Sequence, residues 1–266
     1  MDSAKVLQLM NNKIPVLIDF DGVIKLGNKI AGDAGDFFMF LTQNDFPFYV
    51  ISNSTLRTSE TMLQFIKKNG INIKIPAMTA VDATLVYVRE NYRRVSVYCR
   101  PKIKVLFSEF DVEENPEAVV LGDIADKWTY ETMNEIFRKV RNGADIIAMH
   151  KNRYWEPDGK TITMDAGAFI TAIEYASSKK AILIGKPSPL YFQTALKQLG
   201  YKTDSEFIMI GDDLESDIAA ARAMGGKGIL VYTGKTEYPL KDNSIKPDFE
   251  VMNLKEITYI LKKFQI

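Results

Sequence analysis

Short apolar runs, each too brief for a helix and bounded by turn residues, recur along this chain and narrow its architecture more than any other feature. Val16-Leu17-Ile18, Phe48 to Ile51, Ile182-Leu183-Ile184, Phe207 to Ile210 and Ile229-Leu230-Val231 are continuous in apolar character, as strands buried on both faces are. Helical spacing fills the stretches Thr61 to Lys68, Leu190 to Leu199 and Ile218 to Met224, the last stopped by Gly225-Gly226. Strand alternating with helix predicts an α/β fold around a doubly wound parallel sheet. A second set predicts an inserted α/β domain: strands near Val95 to Tyr98, Ala118 to Leu121 and Ile146 to Met149, with helices at Tyr130 to Arg141 and Ala168 to Ala176. The expected boundaries are 1–77 and 183–266 for the core and 78–182 for the insertion. Phe37, Phe38, Phe40 and Leu41 fall at helix-like spacing and read as packing.

Four polar clusters directly follow four of the runs: Asp19-Phe20-Asp21-Gly22, Ser52-Asn53-Ser54, Gly185-Lys186-Pro187-Ser188 and Gly211-Asp212-Asp213. Ligands bind outside the carboxyl ends of strands in open parallel sheets, so groups distant in sequence can share one site there. Asp19, Asp21 and Asp212 crowded together would repel by ~4 kcal/mol per pair at ~4 Å and an effective dielectric of ~20. A hard divalent cation with oxygen ligands, magnesium before calcium, answers that repulsion. Lys186 adds a fixed positive charge, and Ser188-Pro189 resembles an N-cap followed by proline at the first helical position. Ser52 offers a hydroxyl, and backbone amides beside Gly22 and Asn53 can hold phosphate oxygens. Together the clusters read as a site for phosphate and magnesium.

Each cluster also has an ordinary explanation. Asp19 to Gly22 can be a strand-ending turn, Ser52 to Ser54 a helix cap, and Gly211 to Asp217 a loop with a charged helix start. Gly185-Lys186 is not the end of a Walker loop, because Lys180 stands where that motif needs its first glycine. Four such turns in register is the harder proposition.

In this order the clusters resemble the four motifs of the haloacid dehalogenase superfamily: an Asp-x-Asp pair, a serine or threonine, a lysine, and Gly-Asp with a further acid. The insertion, Gly167-Ala168-Phe169 and Gly185-Lys186-Pro187 are similar to the nitrophenylphosphatase, or NagD-like, branch, whose α/β cap closes over the substrate. Within it, His150-Lys151-Asn152-Arg153-Tyr154-Trp155 resembles the phospholysine phosphohistidine inorganic pyrophosphate phosphatase group. The resemblance implies a Rossmann-like core, with Asp19 attacking phosphorus and Asp21 serving as general acid and then base. Asp19, the Asp21 carbonyl and Asp212 would hold Mg2+, while Ser52 and Lys186 bind the equatorial oxygens. Asp213 or Asp217 would support Lys186 or a metal-bound water from behind.

Substrate choice would then depend on residues after the inserted strands. Asp123, His150, Asn152, Arg153, Tyr154 and Trp155 are candidates for leaving-group contacts, against the plainer reading that His150 is a satisfied core or surface histidine and that Tyr154 and Trp155 pack. Cys99 reads as an inert small residue at a strand end.

Composition bounds the partners. Lysine plus arginine equal aspartate plus glutamate at 34 each, leaving no basic excess for nucleic acid or an anionic membrane. One histidine and one cysteine exclude a zinc site and an internal disulfide, and fit a reducing cytoplasm. Met1 to Lys13 lacks the apolar core of a signal peptide, and nowhere do ~18 apolar residues follow one another. The expectation is a small phosphorylated substrate, no nucleic acid and no membrane, with a homodimer allowed. The rival readings are a phosphotransferase or phosphomutase on the same core, or a catalytically silent sensor of a phosphorylated metabolite.

Overall fold

The computed structural model describes residues 14–155, 161–241 and 244–263. The reading of Met1 to Lys13 lies outside the described residues. Contacts divide the chain into two compact units. Unit 1 holds the described residues of Met1–Ser52, Ser59–Met78 and Tyr191–Ile266; unit 2 holds those of Asn53–Thr58 and Thr79–Leu190.

Unit 1 is built on a six-stranded sheet in the order β14-β13-β12-β1-β4-β5. The strands are β1 (Val16–Asp19), β4 (Phe48–Ser52), β5 (Ala77–Thr79), β12 (Ile208–Gly211), β13 (Lys227–Val231) and β14 (Phe249–Val251), and a small hairpin, β2 (Lys25–Leu26) and β3 (Lys29–Ile30), follows β1. Every residue of β1, β4 and β12 is buried, which explains why these runs are apolar without alternation. β1 lies between β12 and β4, parallel to both, with Ile18 level with Ile210 on one side and Val50 on the other. Its central place puts the carboxyl end of β1 beside those of its two neighbours.

Three helices of unit 1 cover this sheet by amphipathic spacing: α1 (Ala34–Gln43), α2 (Ser59–Lys68) and α9 (Leu254–Lys263). α1 buries Phe37, Phe38, Phe40 and Leu41, as their spacing implied, and α9 buries Leu254, Ile257, Ile260 and Leu261. The two helices are tied at one point by Asp33, whose carboxylate accepts the Lys255 N–H at 2.8 Å. α2 ends at Gly70, which takes φ +91°, a conformation that costs other residues steric strain.

Unit 2 has its own four-stranded sheet, β11-β8-β7-β6, formed by β6 (Val95–Tyr98), β7 (Ala118–Leu121), β8 (Asp145–Ala148) and β11 (Ile182–Leu183). Its strands are all parallel. α3 (Ala80–Asn91) opens with a reciprocal cap in which Thr79 and Asp82 satisfy each other's backbone amides. α4 (Pro101–Lys104) is a single turn, and α5 (Tyr130–Arg141) and α6 (Ala166–Ser177) bury Ile136, Val140, Ile170 and Ile173 against Val119, Leu121 and Ile146. A short hairpin, β9 (Tyr154–Trp155) with β10 (Thr163–Met164), is exposed.

The sheet assignment of one run is corrected. Ile182-Leu183-Ile184 was expected in the same sheet as Val16 to Ile18, but β11 pairs with β8, Ile182 level with Ile147 and Leu183 with Ala148. The cause is connectivity: β8, α6 and β11 form one crossover unit, and such units place their two strands in one sheet. An apolar run of three residues carries no sign of which sheet it will join. α7 (Pro189–Gln198) then starts at proline, the residue whose fixed φ suits a first helical position. The helix expected at Ile218 to Met224 starts earlier, as a wide π-type turn over Leu214–Ala219 that runs into α8 (Ala220–Ala223).

Phe37 is fully buried in the unit 1 core. Phe37→Ala is expected to cost about 3–5 kcal/mol and to lower the urea midpoint of the unit 1 transition, followed by far-UV circular dichroism.

Candidate active site

Adjacent parallel strands bring three carboxylates together at the carboxyl edge of the unit 1 sheet. Asp19 is the last residue of β1, Asp212 follows β12, and Asp217 lies one turn further along the wide π-type turn. One carboxylate oxygen from each lies within 4.8 Å of the other two, and all three residues are buried. If all were ionised with nothing between them, each pair would repel by about 3.5 kcal/mol at an effective dielectric of ~20. An all-oxygen set of this charge fits a hard divalent cation and offers no soft ligand for a transition metal.

Two glycines make room for this arrangement. Gly22 holds φ +93°, and a Cβ there would stand 2.2 Å from Asp212 Oδ2. A Cβ on Gly234, in the loop after β13, would stand 1.9 Å from the same oxygen. The loop also fixes Asp212 directly: the Lys235 N–H donates to Asp212 Oδ2 at 2.6 Å, while the Thr236 side chain and amide donate to the Asp212 carbonyl at 2.6 and 3.1 Å. Thr233 Oγ1 donates to the Gly22 carbonyl at 2.6 Å and so joins the loop to the turn after β1.

Asp21 points its carboxylate elsewhere. Its Oδ2 accepts from Ser52 Oγ at 3.0 Å, and Lys25 Nζ lies 3.3 Å from its Oδ1. Ser52 is fully buried at the end of β4. Tyr191, also fully buried, orients it: the Tyr191 hydroxyl donates to the Ser52 carbonyl at 2.6 Å and accepts from the Ser52 amide at 3.1 Å. Asp213 and Asp217 are separated by their partners. Burial pulls the Asp213 carboxyl upward, but the Lys235 ammonium and the amides of Ser216 and Glu215 outweigh it and hold the group below the usual carboxylate range. Asp217 instead faces Gly211, where a Cβ would stand 2.3 Å from its Oδ2, and it is the acid that joins Asp19 and Asp212.

Of the residues singled out in the sequence, Asp19, Asp212 and Asp217 form one group, and Asp21, Ser52 and Gly22 are bonded or packed within unit 1. Lys186 and Asn53 fall within unit 2, where Asn53 Nδ2 donates to the Lys186 carbonyl at 3.0 Å and lies 3.5 Å from Asn152 Oδ1. Lys186 is buried. Asp123 pairs with Arg100 at 3.0 Å, and Arg153 is exposed, as are Tyr154 and Trp155 on the β9–β10 hairpin. Cys99 is buried, and burial pushes its thiol up to about 12, which makes it a poor nucleophile. The contributors not singled out include Tyr191, Thr233, Gly234, Lys235 and Thr236; Gly234 stands three residues after the core run that ends at Val231, and no local feature sets it apart.

His150 is buried in unit 2 at the end of β8, and burial lowers its basicity against the opposing pull of Asp165, Asn152 and Asp123.

Two family models match the chain: "Haloacid dehalogenase-like hydrolase" over residues 16–113 and "HAD-hyrolase-like" over residues 183–257. The haloacid dehalogenase-like hydrolase domain-containing protein 2 of Bos taurus is 31% identical over 222 residues, which cover 83% of this chain and 84% of the relative. The phospholysine phosphohistidine inorganic pyrophosphate phosphatase of Danio rerio is 33% identical over 193 residues, covering 69% and 68%. Among solved structures, the 4-nitrophenylphosphatase of Thermotoga maritima superposes with a TM-score of 0.83 at 27% identity, covering 93% of this chain and 97% of that one. The chain belongs to the haloacid dehalogenase-like hydrolases. NagD of E. coli shares its fold, with a TM-score of 0.80 at 22% identity, covering 91% of this chain and 97% of that one.

Two predictions test this geometry. Gly22→Ala should cost about 1–3 kcal/mol through its positive φ and the collision of its Cβ with Asp212, read as a lower urea midpoint of unfolding. For His150 the folded value lies below the unfolded ~6.5, so the unfolded chain binds the extra proton and stability falls as pH drops through that region. His150→Gln should flatten that part of a urea-midpoint profile between pH ~7.5 and ~5, relative to the unaltered chain.

Proposed function

We propose that this chain is a magnesium-dependent phosphatase of small phosphorylated metabolites, working through an aspartyl-phosphate on Asp19. The observation that carries the reading is the buried group of Asp19, Asp212 and Asp217, next in sequence to an Asp21 hydrogen-bonded by Ser52. Three buried carboxylates with no cation would be a standing cost to the fold, and a phosphatase has a use for the charge that balances them.

Asp19, with Asp212 and Asp217, is the set that would hold Mg2+, and the Asp21 carbonyl is a further oxygen from the same turn. When bound, the ion supplies positive charge that screens an anionic nucleophile from an anionic phosphate. The Asp19 carboxylate attacks phosphorus, and the leaving oxygen takes its proton from Asp21. In the second half Asp21 accepts a proton from water as that water attacks the phosphoryl group on Asp19. Ser52, held by Tyr191 at its backbone and by Asp21 at its hydroxyl, orients Asp21 and offers a donor to a phosphate oxygen. Lys186 supplies a cation for the remaining oxygens, with the amides of Gly22 and Asn53 as further donors. Asp213, paired with Lys235, keeps the Asp212 loop in place.

Residues of the insertion would choose the leaving group, since the motif residues serve phosphate and ion alone. A lone cysteine fits a reducing cytoplasm, the balanced charge argues against nucleic acid, and no helix among the described residues is long and apolar enough to cross a membrane.

Asp19→Asn is expected to keep the circular dichroism spectrum and lose more than about 10³-fold in nitrophenyl phosphate turnover in magnesium buffer. A chelator should abolish turnover of the unaltered chain, and added magnesium should restore it. Wild-type-like rates in the variant would remove Asp19 as nucleophile.

A further inference from the structure

Asp21 stands two residues after Asp19, yet it is not one of the three acids that gather with Asp19. The turn after β1 directs its carboxylate elsewhere. Phe20, Val23 and Ile24 are buried in the unit 1 core and anchor that turn. The Lys25 N–H donates to the Phe20 carbonyl at 2.8 Å, and the Gly22 N–H donates to the Lys25 carbonyl at 2.8 Å, so the backbone of Lys25 is tied on both sides of Asp21. The two residues thereby form a parallel bridge. From this place the Lys25 ammonium reaches Asp21 Oδ1 at 3.3 Å, while Ser52 Oγ donates to Oδ2 at 3.0 Å. A donor on each oxygen fixes the plane of the carboxylate. Asp21, Lys25 and Ser52 all belong to unit 1.

An ion pair between residues four apart can be no more than solvated charge. The Asp21 side chain is 43% exposed and that of Lys25 19%, and pairs this open to water add little to stability. Orientation is a separate matter, because the two donors differ in kind. An ammonium has three N–H groups and no lone pair, whereas a hydroxyl both donates and accepts. A proton on Oδ1 competes with the ammonium for the lone pairs of that oxygen. Beside Oδ2 the Ser52 hydroxyl can turn its hydrogen away, so a proton is accommodated there.

We infer that Lys25 is a positioning residue for proton transfer: its ammonium holds Asp21 Oδ1 and leaves Oδ2, beside Ser52, as the oxygen that gives up and takes back the proton. The inference rests on the phosphatase reading above and adds a residue to the acid–base step of that same site. As the bond between Asp19 and phosphorus forms and the bond from phosphorus to the leaving oxygen breaks, the proton on Oδ2 passes to that oxygen. In the second half water attacks phosphorus, the bond to Asp19 breaks with its electron pair returning to the carboxylate, and a proton of the water passes to Oδ2. Lys25 acts through Asp21 alone.

The test uses the full chain and three phosphate monoesters with leaving groups of rising basicity: nitrophenyl, phenyl and ethyl phosphate. A nitrophenolate hardly needs the proton and an alkoxide needs it fully, so a misplaced acid shows as a steeper dependence of rate on leaving-group basicity. Lys25→Met keeps the stem and removes the donor. It should stay within about twofold of the unaltered chain in kcat/KM on nitrophenyl phosphate and lose about tenfold or more on phenyl and ethyl phosphates. Lys25→Arg should restore the shallow dependence, and Lys25→Gln, which keeps an N–H without the charge, should fall between the two. The urea midpoint and the magnesium concentration at half-maximal rate should match those of the unaltered chain in all three variants. A loss of equal size on all three esters, a shifted magnesium dependence, or no loss on any ester would overturn the inference and leave the phosphatase reading standing. An unaltered chain that hydrolyses none of the three would sink the phosphatase reading, and the role of Lys25 with it.

Discussion

Three carboxyl groups held within 4.8 Å of one another in a buried place are the constraint from which most of unit 1 can be understood. Asp19, Asp212 and Asp217 can share that space only because β1 and β12 are parallel neighbours in register, and because Gly22 and Gly234 have no side chain to collide with Asp212. A sheet of fully buried apolar strands sets the positions of the strand ends to within a fraction of a residue. The hydrophobic core is thus the device that holds the three carboxyl groups close together.

Polar partners around the group sort residues that look alike in sequence. Asp212 is anchored by the amides of Lys235 and Thr236, Asp213 by the Lys235 ammonium, and Asp21 by Ser52 and Lys25. Asp217, whose Oδ2 accepts the Asp213 N–H at 3.2 Å, joins the cluster. Four acids on two loops therefore take different places, and the difference comes from which backbone and side-chain donors the fold brings to each. Tyr191 does similar work for Ser52 from a helix far along the chain.

Much of this was legible before any coordinates. Fully buried strands leave continuous apolar runs, and Val16 to Ile18, Phe48 to Ile51, Phe207 to Ile210 and Ile229 to Val231 were read correctly because no other use of such short runs fits beside helical spacing. Tyr130 to Arg141 was legible to the residue, since Thr129 caps it and apolar side chains recur at helical intervals. β14 and its helix α9 went unread: three residues with an exposed Glu250 in the middle make too weak a run. The site read less well where it depends on approach between backbones. Nothing local marks Gly234 as the residue that makes room for Asp212, and nothing local separates Asp213 from Asp217.

The sequence by itself determined the class of fold, the acid-rich strand ends and the family, because burial, turn chemistry and motif order are written in residue types along the chain. Tertiary structure alone decided which sheet Ile182 and Leu183 join, which acid completes the carboxylate group, and that His150 and Asn53 keep buried atoms without partners. Those outcomes depend on distances between segments far apart in the chain, and a hydrogen bond or a steric clash exists only once the backbone has brought such segments to within a few ångströms of each other.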